Sequence, residues 1–380
     1  AAGGAIVCAQ YIGQGNKERA NESARQVLFI ITLISVAVSA FCLIFQKPLL
    51  HLIFGAVEAD VMRASEIYFF YTALSFPFIA AYDAAASIFR AQENTRDPML
   101  ISMVSNVMNI VGNGILIWVF HMGVAGAALS TLISRIFCAV VVLIQLRKDR
   151  QEIVVRDYIR IRPNWSMIRR ILGIGIPSGV ENSMFQLGKL AIQSTVSTLG
   201  TAAIAAQAMT NILENLNGIA AIGVGIGLMT IVGQCMGAGR KDEAVYYIKK
   251  LYVIAEVIII VSCLTVFALT KPVTMLGGME RESADMCFHM VMWITIVKPF
   301  VWVPSFITAY GLRAAGDVKF SMITSCITMW ACRFCLCVFL IRVMGFGPMG
   351  VWIGMFADWT VRGIIFTWRF HSRKWLEYKV

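Results

Sequence analysis

Long hydrophobic runs alternate with short polar segments along most of the chain. Each run is close to the ~20 residues that a helix needs to cross the hydrocarbon core of a bilayer. The clearest runs are Val27–Phe45, Met99–Phe120, Ala125–Leu146, Leu251–Leu269, Met322–Ile341 and Val351–Phe370. The pattern predicts a polytopic helical membrane protein, because a helix satisfies its backbone hydrogen bonds internally.

The polar segments between these runs recur at a nearly fixed interval. The stretch AQYIGQGNKERA at Ala9–Ala20 is similar to GQCMGAGRKDEA at Gly233–Ala244, an offset of 224 residues. IFRAQENTRDPMLIS at Ile88–Ser102 is similar to GLRAAGDVKFSMITS at Gly311–Ser325, an offset of 223. Such shared offsets indicate a tandem duplication of one helical bundle.

The repeat sets the predicted architecture. The second copy has six predicted spans, at about 167–198, 203–236, 245–269, 286–312, 318–342 and 347–370. We therefore expect an all-α membrane protein of two pseudo-equivalent six-helix bundles, with twelve spans when complete. The predicted domains are an N-terminal lobe at 1–146, a linker at 147–166 and a C-terminal lobe at 167–380.

The same offset predicts what the first copy contains. Subtracting 224 from the second copy places the first span, and most of the second, before residue 1. We therefore expect about sixty further residues upstream, with Ala1–Gly13 as the tail of the second span.

Composition and charge exclude a water-soluble globule. Hydrophobic residues make up 58% of the chain and charged residues 14%, whereas soluble domains carry about a quarter charged residues. Of the 33 Lys and Arg, 23 lie on the side of the predicted spans that includes 147–166, and five lie on the opposite side. The positive-inside rule then places both termini and the linker of this multi-pass membrane protein in the cytoplasm. The same bias of basic residues explains the net charge of +11. Anionic membrane lipids are the expected partners of the basic linker, and no nucleic-acid partner is expected.

Ionisable residues inside the predicted spans are candidates for function, because charge is costly in a bilayer. Four carboxylates qualify: Asp83, Glu181, Glu214 and Asp358. Asp358 has Arg362 one helical turn later, which favours a structural ion pair. Asp83 has no basic residue within a turn, so it is a candidate to bind a proton or a cation.

Polar side chains near these acids extend the predicted binding faces. In the C-terminal lobe the candidates are Glu181, Asn182, Gln186 and Lys189 on one helix, and Gln207, Asn211 and Glu214 on the next. In the N-terminal lobe they are Asn106, Asn109 and Asn113, which share one helix face. Structural alternatives stay open for both sets. Glu181 and Lys189 neutralise one another, and the three asparagines, here called the amide stripe, only hold helices together.

Motifs in consistent order resemble the bacterial branches of the multidrug and toxic compound extrusion (MATE) family. They are the repeated motifs at Ala9–Ala20 and Gly233–Ala244, IFRAQENTRDP at Ile88–Pro98, LGIGIPSG at Leu172–Gly179 and GVWIGMFADWTVR at Gly350–Arg362. The resemblance implies two six-helix lobes. It also implies export of organic cations and other amphipathic compounds in exchange for inward H⁺ or Na⁺, with the face that carries Asn113 lining an ion site.

The chain departs from the sodium-coupled branch of that family at acidic positions. Phe185 and Trp302 stand where that branch carries acids, and Asn113 stands where some relatives have Asp. The coupling ion therefore stays open between H⁺ and Na⁺. We expect a monomer that acts on small organic, cationic substrates, with no other cofactor, no metal and no catalytic residue.

The main alternative is a flippase for lipid-linked oligosaccharides or cell-wall precursors, which would need a cavity rich in Arg and Lys. The predicted spans contain five basic residues, namely Arg135, Lys189, Lys298, Arg333 and Arg362. An enzyme is not predicted, because the four histidines are scattered at span ends.

Overall fold

The computed structural model of the protein describes residues 1–378, so that Lys379 and Val380 lie outside the described residues. The described chain consists of helices joined by turns and loops, with no β-strand within that range. It forms two compact units, of which the first ends at Leu172 and the second begins at Gly173. The predicted fold class, an all-α protein with membrane-spanning helices, is confirmed.

The first unit is built around one long central helix. Its helices are α1 (Ala2–Gly13), α2 (Lys17–Ile44), α3 (Gln46–Phe54), α4 (Ala59–Ala91), α5 (Arg96–Gly114) and α6 (Val124–Leu146). The end of α5 continues as a π-helical turn at Ile115–Val119. Helix α4 packs against α1, α2 and α6, and the Ser39 hydroxyl of α2 donates a 2.6 Å hydrogen bond to the Ala73 carbonyl of α4.

The second unit also has a central helix, α10, which packs against α8, α9 and α13. The helices are α7 (Trp165–Val196, which begins in the first unit), α8 (Thr201–Gly237), α9 (Lys241–Leu276), α10 (Arg281–Ala314), α11 (Val318–Thr328), α12 (Leu336–Arg342) and α13 (Met349–His371). A π-helical segment, Met329–Cys335, joins α11 to α12. The six predicted spans coincide with α7, α8, α9, α10, α11–α12 and α13. The largest difference is at the end of α9, which is Leu276 rather than the predicted residue 269.

Eight helices among the described residues are long and apolar enough to cross a membrane: α2, α4, α5 with its π-turn, α6, α8, α9, α10 and the α11–α12 segment. Helices α7 and α13 fall outside this set. Charged residues inside these two helices lower their hydropathy, namely Glu181 and Lys189 in α7 and Asp358 and Arg362 in α13.

The repeated motif forms the same turn in both units. Gly15 follows α1 with φ 72°, and Gly239 follows α8 with φ 74°. The amide of Gly15 donates to the Ile12 carbonyl at 2.9 Å, and that of Gly239 to the Met236 carbonyl at 3.2 Å. A left-handed backbone costs other residues roughly 1–2 kcal/mol, which explains glycine at both positions.

The segment predicted as a linker, 147–166, packs on the first unit. The backbone N–H of Ile153 donates to the side-chain oxygen of Gln92 at 2.9 Å. The side chain of Gln26, which is buried in α2, donates to the Arg162 carbonyl at 2.8 Å. Because of these bonds, the segment belongs to the first unit, and the boundary between the units lies inside α7.

Candidate functional site

A fully buried lysine lies at the centre of the second unit. The Lys298 ammonium of α10 is 2.8 Å from the Glu214 carboxylate of α8 and 3.2 Å from the Glu214 carbonyl. It also donates to the side-chain oxygen of Asn217. The rings of Trp302 and Trp359 lie 5.4 and 5.9 Å from the ammonium, within the range of cation–π attraction. Glu214, a predicted binding residue, is therefore half of an ion pair.

A second buried group of charges joins α13 to the π-helical segment. The Asp358 carboxylate lies 3.3 Å from the Arg362 guanidinium and 4.0 Å from that of Arg333. The Phe185 ring lies 4.8 Å from Arg333 and 5.8 Å from Arg362. Asp358 and Arg362 thus occupy the arrangement expected of a structural pair, to which the tertiary structure adds Arg333 and an aromatic ring.

Glu181 pairs with a residue that the sequence did not indicate. Its carboxylate accepts from the Arg313 guanidinium of α10, and the Arg313 Nε donates to the Ser321 hydroxyl at 3.0 Å. Lys189 does not neutralise Glu181. Its ammonium is exposed and lies 5.4 Å from the Phe185 ring. Two turns of one helix separate the acid from that lysine, whereas Arg313 approaches from the last turn of α10.

The remaining predicted polar residues of the second unit have diverse environments. Gln207 is buried and accepts a 3.0 Å hydrogen bond from the Trp352 indole, which joins α8 to α13. Asn182 is exposed and donates at 3.0 Å to the Ser178 carbonyl one turn earlier. Gln186 is also exposed, and Asn211 is half-buried.

In the first unit, the amide stripe joins α5 to α6. The Asn109 amide donates to the Thr131 hydroxyl at 3.2 Å and accepts from the Asn113 amide at 3.2 Å. The side-chain oxygen of Asn113 is buried and has no hydrogen-bond partner among the described residues. Asn106 lies on an exposed face. Among the described residues, the Asn109 amide is therefore the one of the three that bonds to α6, whereas Asn113 bonds within α5 and retains one free acceptor.

Asp83 and Glu256, which lie inside the membrane helices, make no ion pair and no side-chain hydrogen bond among residues 1–378. Asp83 lies in α4 with an exposed side chain. Glu256 lies in α9 and is half-buried. The sequence prediction missed Glu256, although it stands within the apolar run Leu251–Leu269 and the same cost of burial applies to it.

The sequence matches the MatE family over residues 1–115 and 177–339. It is 25% identical over 380 residues to the "Probable multidrug resistance protein NorM" of Thermotoga maritima, covering 98% of this chain and 80% of that protein. It is 27% identical over 387 residues to the "Uncharacterized transporter YisQ" of Bacillus subtilis, covering 99% and 83%. A structure titled "Outward-facing conformation of a multidrug resistance MATE family transporter of the MOP superfamily" has a TM-score of 0.86 at 19% identity, covering 98% and 84%.

Proposed function

Since this chain belongs to the MatE family of multidrug efflux transporters, we propose that it is a secondary active exporter of cationic and amphipathic organic compounds. It works by alternating access, and inward movement of H⁺ or Na⁺ supplies the driving force. Both termini and the 147–166 segment lie on the cytoplasmic side of the plasma membrane, as the distribution of basic residues favours.

The lack of an ion pair at Asp83, among the described residues, is the observation that supports ion coupling in this proposal. Its carboxylate lies eight residues before the end of α4, about 12 Å along the axis at 1.5 Å per residue. Without an ion pair, a carboxylate at such a depth is favoured when it binds a proton or a cation. An antiporter requires a group that binds and releases the coupling ion as its access to water changes. A carboxylate that binds a proton or a cation in this way meets that requirement.

The acids of the second unit support a different role. Glu181, Glu214 and Asp358 each lie against a basic side chain, so a proton or cation would have to displace an existing partner. Their pairing also engages the basic residues that a pyrophosphate-binding flippase would need to leave free. Lys298, Arg333 and Arg362 are buried and held by these acids, which favours cationic over anionic cargo.

The test is efflux of a cationic dye, ethidium, from cells or proteoliposomes under separately imposed H⁺ and Na⁺ gradients. One gradient is expected to drive efflux by the parent protein. Asp83→Asn is expected to reach the membrane and to lose at least about tenfold of that efflux, on the scale of a lost charge interaction. Glu93→Gln is the matched control, because it removes an exposed acid just beyond the same helix. If Asp83→Asn exports ethidium as fast as the parent protein under each of the two gradients, this coupling role is refuted.

A further inference from the structure

An apolar groove runs along one side of the first unit, between α2, α4 and α6. Its volume is about 490 Å³, and its lining residues include Phe29, Val36, Pro77, Ala81 and Val140. Val36 and Val140 are each 48% exposed, so the groove is open along one side. A groove of this kind within membrane-spanning helices offers an acyl chain a complementary surface.

The segment after α6 closes one end of this groove. Tyr158 and Ile161 complete its lining, and the Tyr158 hydroxyl donates to the Leu143 carbonyl at 2.6 Å. Burial raises the pKa of Tyr158 to about 12, so its phenol stays neutral. Gln26 fixes the segment further along, by accepting from the Asn164 amide at 3.1 Å and donating to the Arg162 carbonyl. The closure is therefore an ordered part of the first unit.

The outer surface of the same segment combines exposed apolar residues with arginines. Ile159 is 99% exposed and Trp165 is 71% exposed, while Arg160 and Arg162 are exposed on either side of Ile161. None of the ion pairs among the described residues includes these two guanidinium groups. Tryptophan and isoleucine beside arginine are typical of a surface at the headgroup level of a bilayer.

We propose that this groove and its closing segment bind one anionic phospholipid of the cytoplasmic leaflet. An acyl chain lies in the groove between α2, α4 and α6, and Arg160 and Arg162 contact the phosphate and the anionic headgroup. The segment 147–166 carries six basic and three acidic residues, which favours an anionic over a zwitterionic lipid.

The internal duplication supports the groove as a feature of the fold. In the second unit, cavities of about 330 and 290 Å³ lie on the corresponding helices, α9, α10 and α13. Tyr252 and Val253 line the first of these, and they stand 224 positions after Leu28 and Phe29, which line the groove. Of these three cavities, the groove of the first unit has the largest volume, and it alone is lined by residues of the segment 147–166.

The test measures lipid retained by the purified protein by native mass spectrometry, after exposure to phosphatidylglycerol or phosphatidylcholine. One phosphatidylglycerol is expected to be retained in preference to phosphatidylcholine. Arg160→Gln/Arg162→Gln is expected to weaken this binding about 30-fold, from about 1 kcal/mol per basic residue. Lys17→Gln/Arg19→Gln is the matched control, because it removes two exposed basic residues of the same unit away from the groove.

Filling the groove tests the acyl-chain part independently. Val140→Trp places a large ring at a half-exposed position of the groove on α6, and it is expected to abolish retention of the single phosphatidylglycerol. Ala81→Phe, on α4, is a second variant with the same expected result. Equal retention of the two lipids would overturn the proposal. So would parent-level retention by the double arginine variant or by either folded groove variant, or an equal loss in the Lys17/Arg19 control.

Discussion

The Lys298 ammonium and the Glu214 carboxylate form a 2.8 Å ion pair in which the lysine side chain has no exposure to solvent. The two residues lie on adjacent helices, 84 positions apart in the chain. Removing one partner of a buried pair costs more than the pair contributes, because the other charge remains desolvated. This asymmetry makes the pair testable.

Lys298→Met is expected to lower the free energy of unfolding by about 3–5 kcal/mol, because it leaves Glu214 unpaired. The double variant Lys298→Met/Glu214→Leu is expected to recover most of this loss, since neither charge remains. Thermal unfolding of the detergent-purified proteins measures both, with Lys189→Met as the exposed-lysine control. A double variant no more stable than Lys298→Met would contradict the ion-pair explanation.

Asp358→Asn is expected to lower the thermal stability strongly, because Arg362 and Arg333 would then share no carboxylate in a buried site. Both guanidinium groups are within 4.0 Å of Asp358. Thr360→Ala, an exposed change two residues along the same helix, serves as the control and should change the melting temperature little. If Asp358→Asn unfolds at the parent temperature, the pair is not structural.

Glu181→Gln is expected to reduce stability through loss of the charged hydrogen bond from Arg313, which is worth about 1.5–3 kcal/mol. The double variant Glu181→Gln/Arg313→Gln should be more stable than the single variant, because the uncompensated guanidinium is removed. Melting temperatures of both variants and of Asn182→Ala, the exposed neighbour, provide the comparison. A melting temperature of Glu181→Gln equal to that of the parent would leave Glu181 without a structural role, and efflux would then be measured.

Gly15→Ala and Gly239→Ala are each expected to destabilise their unit by about 1–2 kcal/mol, because alanine resists the left-handed backbone. Gly227→Ala is the matched control. Gly227 lies inside α8 with open space around its Cα, so alanine there is expected to be neutral or stabilising by up to about 1 kcal/mol. Chemical or thermal unfolding measures all three. An equal response of Gly239 and Gly227 to alanine would exclude a backbone origin.

The spans, the duplication and the family were all predictable from the amino-acid sequence. Apolar runs near the length of a bilayer predict helices without reference to any other part of the chain. The turns at Gly15 and Gly239 likewise depend on local backbone geometry, so the two copies of the motif form the same turn. The pair Asp358–Arg362 lies within one turn of a single helix, and spacing alone was sufficient to propose it.

Which charges meet across helices depends on how the helices pack. Glu181 contacts Arg313, which is 132 residues away, and Glu214 contacts Lys298, because the rotation and depth of neighbouring helices bring these side chains together. Neither quantity follows from spacing along one helix. The same holds for Asp83 and Glu256, whose lack of an ion pair among the described residues is a property of the packed bundle. The closure of the groove by Tyr158 also depends on packing, because a segment that reads as a polar linker is held to the first unit by single hydrogen bonds from distant residues.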